Sequence, residues 1–247
     1  MVVRLRDLIG LPVSRQAINW AVTTSTQKVN QTDTGFVRRG LARILQNTFQ
    51  GDLAKNAFIE WLQSQGIARS RIWEYDRVRP HFRSWNRLRY QAKVTKGNGY
   101  EVTIDVNSSM PPHNESDRLI INNYDVKVTA GSRRNNLTDP LRLRSELHVQ
   151  IYVRPRVGIV IEEPREVRDA LLAEETSATR RILQISQAYT GNILTGFAWA
   201  TRKDVDRFKR LSERMNERTT WSFWRRIYWR CPIRKSRPLQ DIIQYLM

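Results

Sequence analysis

The pattern of hydrophobic and polar positions predicts one strong amphipathic helix in the first third of the chain. The stretch "GDLAKNAFIEWLQSQGI" (51–67) repeats apolar residues at helical spacing. Gly66 then stands where a helix commonly ends. A shorter amphipathic helix is predicted over 36–49. Residues 1–34 are polar and mixed, and 23–35 ("TTSTQKVNQTDTG") predict a loop. The apolar stripe of the main helix consists of Leu53, Ala54, Ala57, Phe58, Trp61 and Leu62.

After this helix the period changes to the alternation of half-buried strands. Strands are predicted within 71–79, 87–94 and 99–106, with a turn at Gly97-Asn98-Gly99. The stretch "DRLIINNYDVKVTA" (117–130) predicts two strands joined at Asn122-Asn123, and 146–155 predict another.

Helical spacing returns over 164–186, a strand is predicted over 188–201, and a further helix over 202–216. This order favours an α/β fold in which a mixed β-sheet is flanked by helices. We divide the chain into an N-terminal segment (1–50), an α/β core (51–215) and a basic aromatic C-terminal segment (216–247) that packs on or extends the core.

The charge balance predicts that this globular protein binds a polyanion. The chain has 42 Lys and Arg against 24 Asp and Glu, a formal net charge of +18. Nucleic acid is the commonest partner for such an excess, while a generally basic proteome and a membrane surface are the alternatives. One cysteine, Cys231, excludes an internal disulfide and a cysteine-built zinc site. No apolar run reaches membrane-spanning length and the start lacks a signal-peptide core, so we expect a cytoplasmic protein without a membrane partner.

The tail 218–240 interleaves tryptophan with arginine and contains no acidic residue. One interpretation is a platform whose cations contact phosphates while its aromatic rings stack. The other is a segment that packs its indole rings inward while the arginine stems lie along the surface. Both stay open, and they are compatible. The candidate nucleic-acid-binding residues are Arg133, Arg134, Arg225, Arg226, Arg230, Arg234, Lys235 and Arg237.

Two opposite charges, Asp125 and Lys127, interrupt an apolar stretch. In a strand, residues i and i+2 share one face. If Asn122-Asn123 turns the chain, Asp117 returns beside Asp125, and two neighbouring carboxylates form a hard-oxygen site for Mg²⁺ or Mn²⁺. A lysine on the same face can then orient or deprotonate a metal-bound water. The less specific interpretations are a surface cross-strand ion pair for Asp125 and Lys127, and a turn residue for Asp117.

The run Asp117, seven residues, Asp125-Val126-Lys127 resembles the motif of the PD-(D/E)XK nuclease superfamily, whose fold is restriction-endonuclease-like. Ser116 stands where the motif has proline. The helix 51–67 resembles the opening helix of that fold, with Glu60 as a further acid, and Gln150 lies on the strand that resembles the one after the catalytic lysine. The resemblance covers roughly residues 51–215.

This resemblance implies a metal-dependent endonuclease that hydrolyses DNA, most readily double-stranded DNA. It implies that Asp117, Asp125, Glu60 and the carbonyl of Val126 bind Mg²⁺ or Mn²⁺. Lys127 would activate the attacking water, and Gln150 would support the site. Asp105 is a rival first acid. Whether the protein forms a homodimer to cut both strands stays open.

Two other functions stay open as well. The chain can be a non-catalytic nucleic-acid-binding or assembly protein that keeps a nuclease-like fold, or a structural protein of a ribosome or nucleoprotein particle. Convergence of Asp117, Asp125 and Lys127 would favour the nuclease over both.

Overall fold

The computed structural model describes residues 2–31, 41–75, 91–111, 115–132, 135–136, 139–153, 182–183, 186–187, 191–223 and 226–247. Within these ranges the helices longer than one turn are α1 (Arg15–Gln31), α2 (Leu41–Ser64), α3 (Asp117–Asn123), α4 (Arg202–Arg214) and α5 (Ile242–Leu246). The strands are β1 (Ile9–Pro12), β2 (Ile72–Glu74), β3 (Ala92–Thr95), β4 (Glu101–Ser109), β5 (Val128–Ser132), β6 (Asn135–Asn136), β7 (Leu147–Tyr152), β8 (Ile193–Thr201), β9 (Thr220–Phe223), β10 (Arg226–Trp229) and β11 (Arg237–Pro238). None of the described helices combines the length and the apolar character that crossing a bilayer requires.

The main sheet is mixed, with the order β1-β8-β7-β4-β3-β2, and β11 also pairs with β8. The pair of β4 and β7 is parallel, whereas the other pairs are antiparallel. A second sheet has the order β6-β5-β10-β9. The predicted α/β class with a mixed sheet and flanking helices is therefore confirmed.

One face of the main sheet is covered by α1, α2 and α5. Val102, Ile104 and Val106 alternate along β4 and are buried in one core with Leu53 and Phe58 of α2. Ile18 of α1 and Ile242 of α5 belong to the same core. This face is apolar because every second strand residue points to it.

The opposite face carries polar residues and supports a second core. Asp105 and Asn107 on β4 lie beside His148 and Gln150 on β7, in the parallel register of the two strands. The second core lies between this face and α3, α4 and the second sheet. Its buried members include Ile120, Val126, Val128, Phe197, Ala198, Phe208, Trp229 and Cys231.

The predicted end of the main helix at Gly66 is confirmed. The N–H of Ile67 donates to Leu62 O at 3.1 Å, and the N–H of Gly66 donates to Gln63 O at 3.0 Å. These two hydrogen bonds are typical of a helix end at which the following residue adopts a positive φ. Gly66 is that residue, with a φ of 92°. Gly51 lies inside the continuous α2, so the two predicted helices are one.

The two glycines give substitutions with opposite expected effects. We expect Gly66→Ala to lower the free energy of unfolding by about 1–2 kcal/mol, because a Cβ disfavours the left-handed conformation. We expect the control Gly51→Ala to raise it by about 0.5–1 kcal/mol, since the added Cβ would lie at an ordinary 3.9 Å from Ser108 Oγ. Urea denaturation followed by circular dichroism measures both. Equal shifts of one sign would contradict this account.

Two sequence-based expectations are wrong. The loop predicted over 23–35 is helical as far as Gln31, and the hydroxyls of Thr23, Thr24 and Thr26 are satisfied within that helix by donating to carbonyls one turn earlier. The first strand predicted over 117–130 is instead helix α3. Its start is set by Ser116, whose side chain accepts from the N–H of Leu119 at 3.3 Å. The predicted helix 164–186 lies almost entirely outside the described residues.

All three predicted segments contribute to the cores. From residues 1–50, strand β1 pairs with β8 and helix α1 packs on α2. Within 216–247, Trp229 and Cys231 enter the second core and Ile242 enters the first. The C-terminal segment therefore contributes side chains to both cores.

Candidate active site

Helix α3 separates the two aspartates of the predicted motif. Asp117 is its first residue, and at 1.5 Å per residue the helix carries the chain about 9 Å to Asn123. The chain then continues in extended form at Tyr124 towards Asp125. The expected hairpin at Asn122-Asn123 is therefore absent from this described stretch, and no turn returns Asp117 to Asp125.

Asp125 lies where the stretch after α3 contacts the C-terminal segment. It forms an isolated antiparallel bridge with Pro232, and its Oδ1 accepts from the N–H of Cys231 at 3.0 Å. The side chain is half-buried. Burial raises the pKa of Asp125, while the Cys231 N–H and Arg230 oppose the rise. A carboxylate held in this way is poorly hydrated and is suited to bind a cation.

The hydrogen bond to Asp125 alters the backbone pairing of Val126. The N–H of Val126 donates to Cys231 O at 2.7 Å. In a regular antiparallel ladder the N–H of Cys231 would return a bond to the Val126 carbonyl, but it donates to Asp125 instead. The carbonyl of Val126, a residue with no exposed surface, therefore lacks its ladder partner.

Gln150 fixes the position of Lys127. The backbone N–H of Lys127 donates to Gln150 Oε1 at 3.1 Å, and Gln150 Nε2 donates to Ser109 Oγ at 3.1 Å. The Gln150 side chain has no exposed surface. The Asp-x-Lys segment is thus tied through one buried amide to β7 and β4 of the main sheet.

Lys127 itself is half-buried. Burial lowers the pKa of its ammonium group, and the charge of Arg226 lowers it further. The lowered pKa makes the neutral amine accessible nearer to physiological pH than for an exposed lysine.

Asp125 and Lys127 do not neutralise each other. Within the described part of the chain, the cation that acts on Asp125 is Arg230, and the charge that acts on Lys127 is Arg226. A mutual ion pair would stabilise both charged forms, whereas both pKa values move towards the neutral forms. The simple ion-pair interpretation of the two charges is therefore not what the structure shows.

Glu60 lies apart from this centre. It is on α2, which packs on the apolar face of the main sheet, and it accepts a hydrogen bond from Ser14 Oγ at 2.7 Å. With Trp20, Arg69 and Glu74 it lines a groove of about 200 Å³. Gln150 and the Asp-x-Lys segment lie on the other face, so the structure does not bring Glu60 to Asp125.

Asp105, the rival acid, is on the polar face. Its Oδ2 accepts from Asn107 Nδ2 at 3.1 Å and lies 3.7 Å from Nδ1 of the buried His148. The register of β4 and β7 places this group two residues along the strands from Gln150.

Sequence reasoning missed one acid beside the centre. Glu115 accepts a hydrogen bond from Tyr124, and Glu115 and Asp125 both raise the pKa of Tyr152, which burial raises most. Glu115 directly precedes the N-cap of α3, and nothing in its sequence spacing marks it as a partner of Asp125.

The predicted basic residues have different environments. Arg226, Arg234 and Lys235 are exposed, and Arg230 lies 3.9 Å from Glu217. Arg237 donates to Asp204 Oδ2 at 2.8 Å and lies over the ring of Trp199, so it also supports α4. Arg133, Arg134 and Arg225 lie outside the described residues.

A metal site at this centre would depend on few protein ligands. Among the described residues no group of three His, Cys, Asp or Glu side chains is close enough to hold an ion. The oxygen donor that the structure leaves partly exposed is the carboxylate of Asp125, whereas Val126, whose carbonyl was the other predicted ligand, has no exposed surface. One carboxylate fits Mg²⁺, which is commonly held by one or two carboxylates while waters and substrate phosphates complete its octahedron.

Comparison of the chain with protein-family models, curated proteins and solved structures finds no match.

Proposed function

We propose that the protein is a metal-dependent endonuclease that hydrolyses phosphodiester bonds of DNA at Asp125 and Lys127. The observation that carries the proposal is that the Asp125 carboxylate is held by the N–H of Cys231 and the backbone of Lys127 by Gln150, while the two half-buried charges do not neutralise each other. Poorly solvated, unpaired ionisable groups cost folding free energy, and such groups concentrate at functional sites.

The carboxylate of Asp125 would hold the ion. When bound, Mg²⁺ polarises the scissile phosphate and lowers the pKa of a bound water. Lys127 would contact the phosphate and accept a proton from the attacking water, a role for which its lowered pKa suits it. Gln150 would act on the reaction by holding the backbone of Lys127.

DNA is the proposed substrate because of the net charge of +18. Cations that neutralise phosphates release counterions, so binding should weaken steeply as salt rises.

Plasmid cleavage tests this proposal. We expect the native chain to convert supercoiled DNA to nicked or linear DNA in Mg²⁺ and not in EDTA. Asp125→Asn should lower the cleavage rate at least about 100-fold, because the metal loses its charged ligand. Linear product without a nicked intermediate would indicate that two copies cut both strands together.

The control for Asp125→Asn is Glu60→Gln, which removes an acid from the far side of the sheet. We expect it to cut like the native chain. If Asp105→Asn lowers the cleavage rate strongly and Asp125→Asn does not, the active site lies at Asp105 and His148, which contradicts the assignment.

The second candidate is a non-catalytic DNA-binding protein with the same surface charge. Two observations favour it: helix α3 keeps Asp117 from returning to Asp125, and the described residues contain no cluster of three potential metal ligands. Binding of DNA without cleavage under any of these conditions would select this function.

A further inference from the structure

Helix α4 presents a row of four cations to the surrounding solution. Lys203, Arg207, Arg210 and Arg214 follow the spacing i, i+4, i+7, i+11 and are all exposed. At 100° per residue, their side chains fall within about 60° around the helix axis. The buried residues Asp204, Val205 and Phe208 occupy another side, so burial in the second core does not hide the row.

The row lines an open groove of about 510 Å³ between α4 and Leu141, which lies in the loop before β7. Arg142 and Arg144 of that loop are exposed as well. The groove also contains one acid, Asp206, which lies 2.6 Å from Arg210. Arg207 lies 3.4 Å from Asp204. Lys203 and Arg214 form no ion pair with the described residues, so the groove keeps an excess of positive charge.

The shape and chemistry of the row favour a phosphate backbone over an acidic protein segment. The row extends about 16 Å, which is long enough to contact successive phosphates of one DNA strand. Arginine binds phosphate through two parallel N–H donors, which favours a regular array of oxyanions. The apolar contribution of the groove is limited to Leu141 and Leu211, which is less than a protein partner's apolar core would require.

Asp204 connects α4 to the C-terminal segment, because it contacts Arg207 of the row and Arg237 of that segment. Phe208 of α4 is also buried in one core with Cys231, whose N–H binds Asp125. The helix that carries the row therefore packs on the same C-terminal segment that holds Asp125.

We propose that Lys203, Arg207, Arg210 and Arg214 bind the phosphate backbone of duplex DNA. This inference rests on the proposed function for the identity of the ligand, but not on catalysis. These residues position the substrate without taking part in bond cleavage.

Fluorescence anisotropy with a labelled duplex of about 20 base pairs, in EDTA so that nothing is cut, tests the inference. The double variant Arg210→Gln and Arg214→Gln should bind at least about 10-fold more weakly, and the slope of log K against log salt should fall by about two. Poly-glutamate as competitor distinguishes a nucleic-acid site from a general acidic-polymer site.

Two variants of the same helix are controls. Lys209→Gln removes one positive charge from another side of α4, where Lys209 pairs with Glu213 at 2.8 Å, and should bind within twofold of native. Asp206→Asn removes the acid from the groove and should tighten binding. Thermal melts establish that each variant is folded.

The outcomes separate this inference from the proposed function. Native-like binding and salt slope in the double variant overturn the inference even if the native chain cuts DNA. Poly-glutamate displacing the duplex at equal charge concentration also overturns it. Weakened binding in the double variant, with no cleavage by the native chain, supports the inference and removes the catalytic proposal.

Discussion

Replacing Lys127 with methionine is expected to lower the rate of DNA cleavage by about 10²- to 10⁴-fold, the usual contribution of a general acid or base. Methionine is close in length and suits a half-buried position, so the fold should survive. The substitution removes only the amine, because the backbone N–H that donates to Gln150 is unchanged. Single-turnover cleavage of a labelled duplex measures the rate, and anisotropy in EDTA shows that binding is retained.

The pH profile and one further variant identify what the amine does. If it accepts a proton, the native rate rises with pH up to the lowered pKa of Lys127, and Lys127→Met loses that dependence. Lys127→Arg keeps a positive charge but cannot act as a base at these pH values, so it should remain as slow as Lys127→Met. Full activity of Lys127→Arg would contradict proton transfer and leave charge stabilisation as the role. Full activity of Lys127→Met would exclude Lys127 from the active site.

Replacing Asp204 with alanine is expected to lower the free energy of unfolding by about 2–4 kcal/mol, the combined loss of a helix cap and of a charge-assisted hydrogen bond to the partly exposed Arg237. Asp204 is nearly buried, accepts from Arg237 at 2.8 Å, and accepts from the N–H and hydroxyl of Thr201 at 3.0 and 2.8 Å. The variant loses the cap of α4 and leaves Arg237 without its partner. Urea denaturation measures the loss. The control Asp206→Ala breaks a surface pair of the same helix and should cost at most about 1 kcal/mol.

The contribution of Asp204 to stability also depends on pH. Burial alone would raise the pKa of Asp204, but the hydrogen bonds from Arg237 and Thr201 outweigh it and lower the pKa. A carboxyl group with a lowered folded-state pKa stabilises the fold above its unfolded value, about 3.9. That stabilisation is lost as pH falls through the folded-state value. The difference between the native chain and Asp204→Ala should therefore narrow below about pH 4, and a constant difference would contradict the ionic origin.

Strong periodic patterns in the sequence predict much of this fold. The apolar stripe from Leu53 to Leu62 leads directly to the buried side of α2. The alternation of Val102, Ile104 and Val106 leads to the first core. These patterns are reliable because burial of one helix or strand face is the largest favourable term in folding.

Elements whose polarity is satisfied by tertiary structure are harder to predict. The threonines of α1 resemble a loop in sequence, but their hydroxyls bond within the helix, and Thr24 also donates to the buried Asp52 at 2.9 Å. The apolar pair Ile120 and Ile121 suits a strand, yet the cap at Ser116 begins a helix. A seven-residue helix has too few turns for its periodicity to be distinguished from alternation.

The candidate site is predictable from the sequence where it depends on neighbours in the chain, and not where it depends on the packing of distant elements. Asp125 and Lys127 are visible as charges in an apolar stretch. The contacts of Glu115 and Cys231 require α3 and the C-terminal segment to be in place. The cation row of α4 has a helical spacing that the sequence contains, but which side of the helix is buried depends on the second core.

Strand β8 lies among partners from opposite ends of the sequence, and this arrangement has a consequence for folding kinetics. Ile9 pairs with Gly196, and Pro238 pairs with Ala198. Such contacts require large loops to close before any pairing energy is gained, and topologies of this kind fold slowly. On the ribosome, β1 must wait unpaired until β8 has been synthesised, and β8 must then wait for β11. We therefore expect the nascent chain to depend on chaperones more than its size alone would indicate.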